Sequence, residues 1–396
     1  MIVYDAKIFT ADGEDRVFGK GFIEIENGVI KKIGDMSVCP AVAGSDYNAK
    51  GGAVYPGFVD AHCHLGVWEN ASGFEGDDGN ETTDPCTPHL RAIDMVNPSD
   101  LCFGEAAKAG VTTVAVGPGS ANAVSGSFLI MKTLGRSEYE RIDDRIIKSP
   151  SAIKFALGEN PKRVYCDRDE APVTRMATAA IIREQLYKAK RYLETVTEHE
   201  KTKGADNETG LPDFDIKCEA LIPLLKGEVK MHAHCHRCDD IFTAIRLAKE
   251  FGLELVVIHG TDSFKIAGEL KKDGVFVILG PVISDRGKPE LAGHSITAAA
   301  ALEKHGVKFA ICTDHPVLPA QYLPLSAGLA IRGGLSEEKA LRAITADAAR
   351  ICGVAASVGS IEEGKDADLA IFNGGAKFYE VLAKPEAVFI GGARVL

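Results

Sequence analysis

At 396 residues, with 45% hydrophobic and 26% charged side chains, the chain has an ordinary globular composition and enough length for one large core plus a smaller appendage. Its formal net charge of -11, from 56 acidic against 45 basic side chains without a long Lys/Arg cluster, leaves no stripe for phosphate backbones and excludes nucleic acid as an expected partner. No run approaches the roughly 18 apolar residues that span a bilayer, and residues 1–7 lack a basic segment followed by an apolar one, so no membrane partner and a cytoplasmic location are expected.

The ten cysteines then read as reduced thiols. Cys235 and Cys238 form a CxxC, but no second CxxC accompanies it and histidines flank it, which argues against a redox or structural zinc role.

In chain order, the first fifty residues predict short strands. Asn27-Gly28 between Phe22–Ile25 and Val29–Ile33 fits a two-residue hairpin turn. From Val54 onward, apolar runs alternate with helical patterns, as βα units around a parallel sheet require. The His-rich run from Met231 to Arg237 predicts a strand. Asp239 or Asp240 should cap the following helix, whose apolar face is Ile241, Ala244, Ile245 and Ala248, and Gly252 should end it. The rhythm continues with strand 255–259, helix 263–273, strand 275–279, helix 295–304 and strand 307–313. Two polar loops interrupt it, 67–98 and 201–213; the first follows a candidate metal motif and is expected to shape a substrate pocket.

The sharpest local signal is Val59-Asp60-Ala61-His62-Cys63-His64. Period-two alternation places His62 and His64 on one face of a strand end, where two neutral imidazoles can bind a divalent cation, and turns Cys63 away. Four further strand ends carry polar groups: Lys154, the alternating His232, His234 and His236, His259, and Asp314. A lone buried histidine or aspartate is usually a hydrogen-bonded core residue. Together they point elsewhere, because burying Lys154 or Asp314 without a partner is costly and a cation with mixed His and oxygen ligands removes that cost. The pattern predicts an α/β fold, a TIM (β/α)8 barrel with its ligands at the carboxyl ends of strands.

These residues resemble the amidohydrolase superfamily, in the group of imidazolonepropionase and prolidase-like enzymes. The resemblance rests on Pro56-Gly57-Phe58-Val59-Asp60-Ala61-His62-Cys63-His64, on Ala109-Gly110-Val111-Thr112-Thr113-Val114, and on Gly359 to Leu369. It implies a composite β-sandwich domain from both termini (1–53 plus 357–396) around a catalytic barrel (54–356). It also implies a first-strand HxH at His62 and His64, a sixth-strand ligand at His259 and an eighth-strand aspartate at Asp314. The fifth-strand ligand would be His236, three residues before Asp239, with His234 the alternative. Lys154 matches the fourth-strand lysine that bridges two metals as a carbamate in binuclear members.

The resemblance therefore implies one or two divalent ions, zinc by default with iron, manganese or cobalt as rivals. The implied chemistry is hydrolysis of a C–N bond in a small molecule, a cyclic or peptide-like amide, with Asp314 as general base and His259 beside it in catalysis. A deaminase and an inactive scaffold are the alternatives. Candidate substrate contacts are His89, Arg91, Asn160, Lys162, Arg163, Arg175 and His234, with Lys162-Arg163 suited to a substrate carboxylate. A homo-oligomer is the base-rate expectation for its assembly.

Overall fold

The apolar runs of the sequence become one eight-stranded sheet in the computed structural model, which describes residues 1–69, 73–135, 141–204, 209–373 and 375–396. Its strands are β1 (Phe58–Cys63), β2 (Val111–Val116), β3 (Val124–Lys132), β4 (Ile146–Ala156), β5 (Lys230–Cys235), β6 (Leu255–His259), β7 (Phe276–Leu279) and β8 (Phe309–Ile311). Neighbours in the sheet are neighbours in the chain. Beyond β8 the chain returns to β1, with Asp314 N donating to His62 O (3.1 Å) and His64 N to His315 O (2.9 Å), so the sheet is nearly closed into a barrel.

Side chains alternate as a barrel demands. Val59, Ala61, Ala115, Ile130, Val256, Ile258, Ile278, Ala310 and Cys312 form one buried cluster. The intervening Val114, Ile153, Phe155, Met231, Ala233, Val257, Val277 and Ile311 pack with helix residues such as Leu186, Leu247, Leu270 and Leu302.

The third strand departs from the expected βα repeat, since β3 runs antiparallel to both β2 and β4. Only residues 117–123 join β2 to β3, and a parallel crossover needs about a dozen residues or more. Several predicted bounds also move. The helix Cys238–Phe251 is preceded by Arg237 at its N-cap, so Asp239 and Asp240 lie in the first turn, where the helix dipole favours carboxylates; Gly252, at φ 69°, ends it as expected. The helix predicted over 263–273 divides into a 3-10 turn, Ser263–Ile266, and the helix Ala267–Lys272. The helix predicted from 295 begins at Ala298. A 28-residue helix, Arg175–Thr202, enters the segment read as the loop 201–213, of which 205–208 lie outside the described residues, as do 70–72 of the loop 67–98.

The strands Ile2–Phe9, Val17–Glu26, Val29–Asp35, Tyr47–Asn48, Ala53–Pro56, Leu369–Phe372, Ala387–Ile390 and Ala393–Arg394 are hydrogen-bonded into a second sheet. The Asn27-Gly28 hairpin forms with both residues at positive φ (53° and 83°), as its turn type demands. Ala53–Pro56 lies parallel to the first strand and antiparallel to Leu369–Phe372, so the two ends of the chain share one sheet, over a core that includes Ile8, Ile23, Val54, Leu369, Ile371 and Phe389. Lys132 of β3 ties this sheet to the barrel through Asp366 (2.8 Å) and Asp368 (2.5 Å).

Candidate metal centre

The carboxyl ends of β1, β4, β5, β6 and β8 converge on one cavity of about 540 Å³. His64 lines it and His62 lies buried against Asp314, which also lines it; both turn inward where the register of β1 against β2 shifts between Asp60 and Cys63. Val59 and Ala61 face the barrel interior, yet Cys63 packs with the outer cluster, so His62 and His64 take the inner face beyond the irregularity. Asp60 pins this stretch to the end of β8. Its carboxylate accepts from the Thr313 hydroxyl and backbone N–H, next to Asp314, and burial pushes its pKa up to about 7.

His259 reaches the site by another device. Strict alternation would send it outward with Leu255 and Val257. Instead its φ is 70°, and Gly260 N donates to Ile258 O (3.0 Å), closing a three-residue turn centred on the histidine. Asp314 is also left-handed, at φ 55°. Such conformations cost of order 1–3 kcal/mol in a residue with a side chain and persist where the surroundings over-determine them, commonly at functional sites.

The imidazoles are oriented from behind. His64 Nδ1 donates to Gly117 O and His259 Nδ1 to Gly280 O, each at 2.7 Å; His236 Nδ1 lies 2.7 Å from the Thr261 hydroxyl. The carbonyl partners fix Nδ1 as the protonated nitrogen and leave the Nε2 lone pair of His64 and His259 facing the cavity. His62 is fully buried and neither ring nitrogen has a hydrogen-bond partner. Its Nε2 lies 3.3 Å from Asp314 Oδ1, and His64 Nε2 lies 3.2 Å from the same oxygen. Two donors each about 2.1 Å from one tetrahedral cation sit about 3.4 Å apart, so this spacing fits a shared ion.

Among the described residues two ligand groups emerge: His62, His259 and Asp314, and His234, His236 and His259. Each has its ligand atoms within 4.8 Å of one another. Burial is the main reason that His62, His234, His236 and His259 have lowered pKa values, which keeps them neutral and able to ligate. Burial would raise Asp314, but His259, His62 and His64 outweigh it and hold the carboxyl well below its usual range. Lys154 is 1% exposed with its ammonium 5.7 Å from the centre of the Phe128 ring, and burial depresses its pKa to about 8. His232 pairs with Lys154 across β5 and β4 and packs on Phe128, one step deeper than His234.

Of the residues proposed from sequence to meet substrate, Asn160 and His234 line the cavity. Asn160 Nδ2 lies 3.4 Å from His234 Nε2 and donates to Ser120 Oγ at 2.7 Å. The other five lie outside the walls. Arg91 is exposed and paired with Asp94, Arg175 is held by the buried Asp240, Arg163 is exposed, and His89 and Lys162 are half-buried away from the lining. Cys235 is buried on the outer face of β5, away from the cavity, with its thiol pKa pushed up by burial. Trp68, Asn80, Ser120, Thr261, Lys288 and His294 also line the wall and were not singled out from sequence. Trp68, the sole tryptophan, meets the edge of His64 at 4.9 Å, and only its position just after the HxH motif could have drawn notice.

Residues 53–395 match the Amidohydrolase family. A curated relative, amidohydrolase tasK of Hapsidospora irregularis, is 29% identical over 94% of this chain, which spans 39% of that protein's length. A crystal structure of an amidohydrolase from Thermotoga maritima is similar at 37% identity and a TM-score of 0.92, covering 100% of this chain and 99% of that one. A prolidase complexed with N-methylphosphonate-L-proline shares the fold at 17% identity and a TM-score of 0.61, over 99% and 98% of the two chains.

Proposed function

Because this chain belongs to the amidohydrolase family, we propose that it is a metal-dependent hydrolase that cleaves a C–N bond of a small molecule, an amide of cyclic or peptide-like kind. The observation that carries the reading is the spacing at Asp314, whose Oδ1 stands 3.2–3.3 Å from the Nε2 atoms of His62 and His64. His62, His64, His259 and Asp314 would hold one divalent cation. His234 and His236, with Lys154 as its carbamate, would hold a second; neutral amine and carbon dioxide give that carbamate with loss of one proton. Zinc is the default ion, with iron, manganese and cobalt as rivals.

A divalent cation there supplies water of lowered pKa and polarises a carbonyl oxygen. The chain's own residues do the rest. Asp314, kept ionised by its histidine neighbours, accepts the proton of the attacking water and returns it to the leaving nitrogen, which departs as a neutral amine. His259, fixed through Gly280 O, holds the opposite side of the site. Trp68 and Pro281 give the cavity wall apolar surface beside the candidate ligands. A cytoplasmic setting, in which the ten cysteines stay reduced, belongs to the same proposal, and among the described residues no helix is long and apolar enough to cross a membrane.

The test is elemental analysis of the purified protein combined with an assay panel of cyclic amides, dipeptides, N-acyl amino acids and aminated heterocycles. One or two metal ions per chain, and hydrolysis lost on chelation and restored by re-addition, are expected. Full turnover in chelated, metal-free protein would refute the reading, and ammonia released from a heterocycle would reassign it to deamination.

A further inference from the structure

The side chains of full charge lining the cavity, among the described residues, are Lys154 and Asp314 at its base and Lys288 on its wall. Lys288 comes from the connection after β7, and its ammonium is held on two sides. Nζ donates to Asn160 Oδ1 at 3.0 Å and lies 2.6 Å from Glu290 Oε1. An ammonium has three N–H donors, so one remains for a ligand.

The mounting is rigid. Glu290 is 3% exposed, and its other oxygen accepts from Glu159 N (3.0 Å) at the start of the helix Glu159–Cys166. That approach needs a residue without a side chain at position 158. Gly158 sits at φ 92°, and a Cβ there would come within 2.8 Å of Glu290 Oε2. The connection after β7 is thereby clasped to the connection after β4, presenting Lys288, 26% exposed, to the cavity. Asn160 joins it to the candidate ligands, because its amide spans Lys288 Nζ and His234 Nε2. An anion held by Lys288 therefore lies close to the histidine cluster, within a few bonds of the reacting carbon.

We propose that Lys288 is the substrate's anion anchor and that the substrate class is amides carrying a carboxylate close to the scissile nitrogen, such as N-acyl amino acids or dipeptides. This rests on the hydrolytic reading above and moves the carboxylate site from Lys162-Arg163, which lie outside the cavity wall, to Lys288, which lines it. Asn160, Glu290 and Gly158 are positioning residues that fix the ammonium.

The experiment uses zinc-loaded wild type, Lys288→Met and Lys288→Arg, assayed on N-acetyl-L-amino acids and dipeptides and on their C-terminal carboxamides. In parallel, Trp68 emission is followed during titration with N-acetyl-L-alanine and N-acetyl-L-alaninamide. Wild type is expected to prefer the free acids, through KM. One charge-assisted hydrogen bond suggests that Lys288→Met lowers the acid-to-amide preference by roughly ten- to hundred-fold, with partial recovery in Lys288→Arg. A wild type that treats acids and amides alike in turnover and emission, or a Lys288→Met that loses both equally, overturns the anchor. If neither class is cleaved but emission still separates acid from amide through Lys288, the anchor stands and the hydrolytic reading falls.

Discussion

Replacing Asp314 by Asn separates the charge of this residue from its shape. Oδ1 faces both His62 and His64, and an Asn oxygen can occupy the same place, so the fold and the left-handed backbone at 314 should survive. What is lost is the anionic proton acceptor. General-base deletions cost about 10² to 10⁴ in rate, or about 2.7–5.4 kcal/mol at about 1.36 kcal/mol per decade. Lower cation affinity would mimic this effect, so kcat must be measured with excess zinc and metal content determined on the same sample. The loss should persist at full loading, and the acidic limb of the pH profile should flatten. If Asp314→Asn, fully loaded, turns over within about threefold of wild type, Asp314 is not the base.

Two further substitutions test the packing beside this site and the electrostatics of the terminal sheet. Gly79→Ala would place a Cβ 1.8 Å from the Trp68 ring, far inside contact distance, so the indole must move off His64. We expect a shifted emission maximum and a loss of about 1–3 kcal/mol in denaturant unfolding; an unchanged spectrum would contradict the packing. Burial would raise Asp12, but hydrogen bonds from the Arg16 side chain and backbone N–H groups lower its pKa below the usual 3.8. A folded value below the unfolded one gives stability that is present above about pH 3.8 and fades as the pH falls through the folded value. Wild type should therefore lose Tm more steeply than Asp12→Asn between about pH 5 and 3, and parallel curves would remove the pair from the stability argument.

The ligand set could be read from sequence where it followed strand periodicity. The candidates His62, His64, Lys154, His236 (with His234 as its alternative) and Asp314 stand at the ends of apolar runs, and burial without partners made them conspicuous. His259 was found for an incomplete reason: its run placed it at a strand end, but only a left-handed turn, which no apolar pattern encodes, directs it inward. The reversal of β3 depended on a connection too short for a crossover, which becomes evident only when both strand limits are known. Lys288 was illegible for a related reason. It sits nine residues beyond β7 in a segment without periodicity, and its place follows from Glu290 finding Glu159 N, 131 residues away. The arginines and lysine proposed instead were visible as charges, but helix phase and local acids such as Asp94 and Asp240 direct them elsewhere.

The sheet shared by both ends of the chain has a consequence for synthesis. Ala53–Pro56 pairs on one side with Ile2–Phe9, made within the same first stretch, and on the other with Leu369–Phe372, made more than 300 residues later. During translation the early strand therefore leaves the ribosome with a bare edge, an invitation to mispairing that lasts until almost the whole barrel has emerged. Completion of that sheet therefore follows emergence of the barrel, and a chain stopped just short of residue 369 would leave a formed barrel beside an unclosed seam.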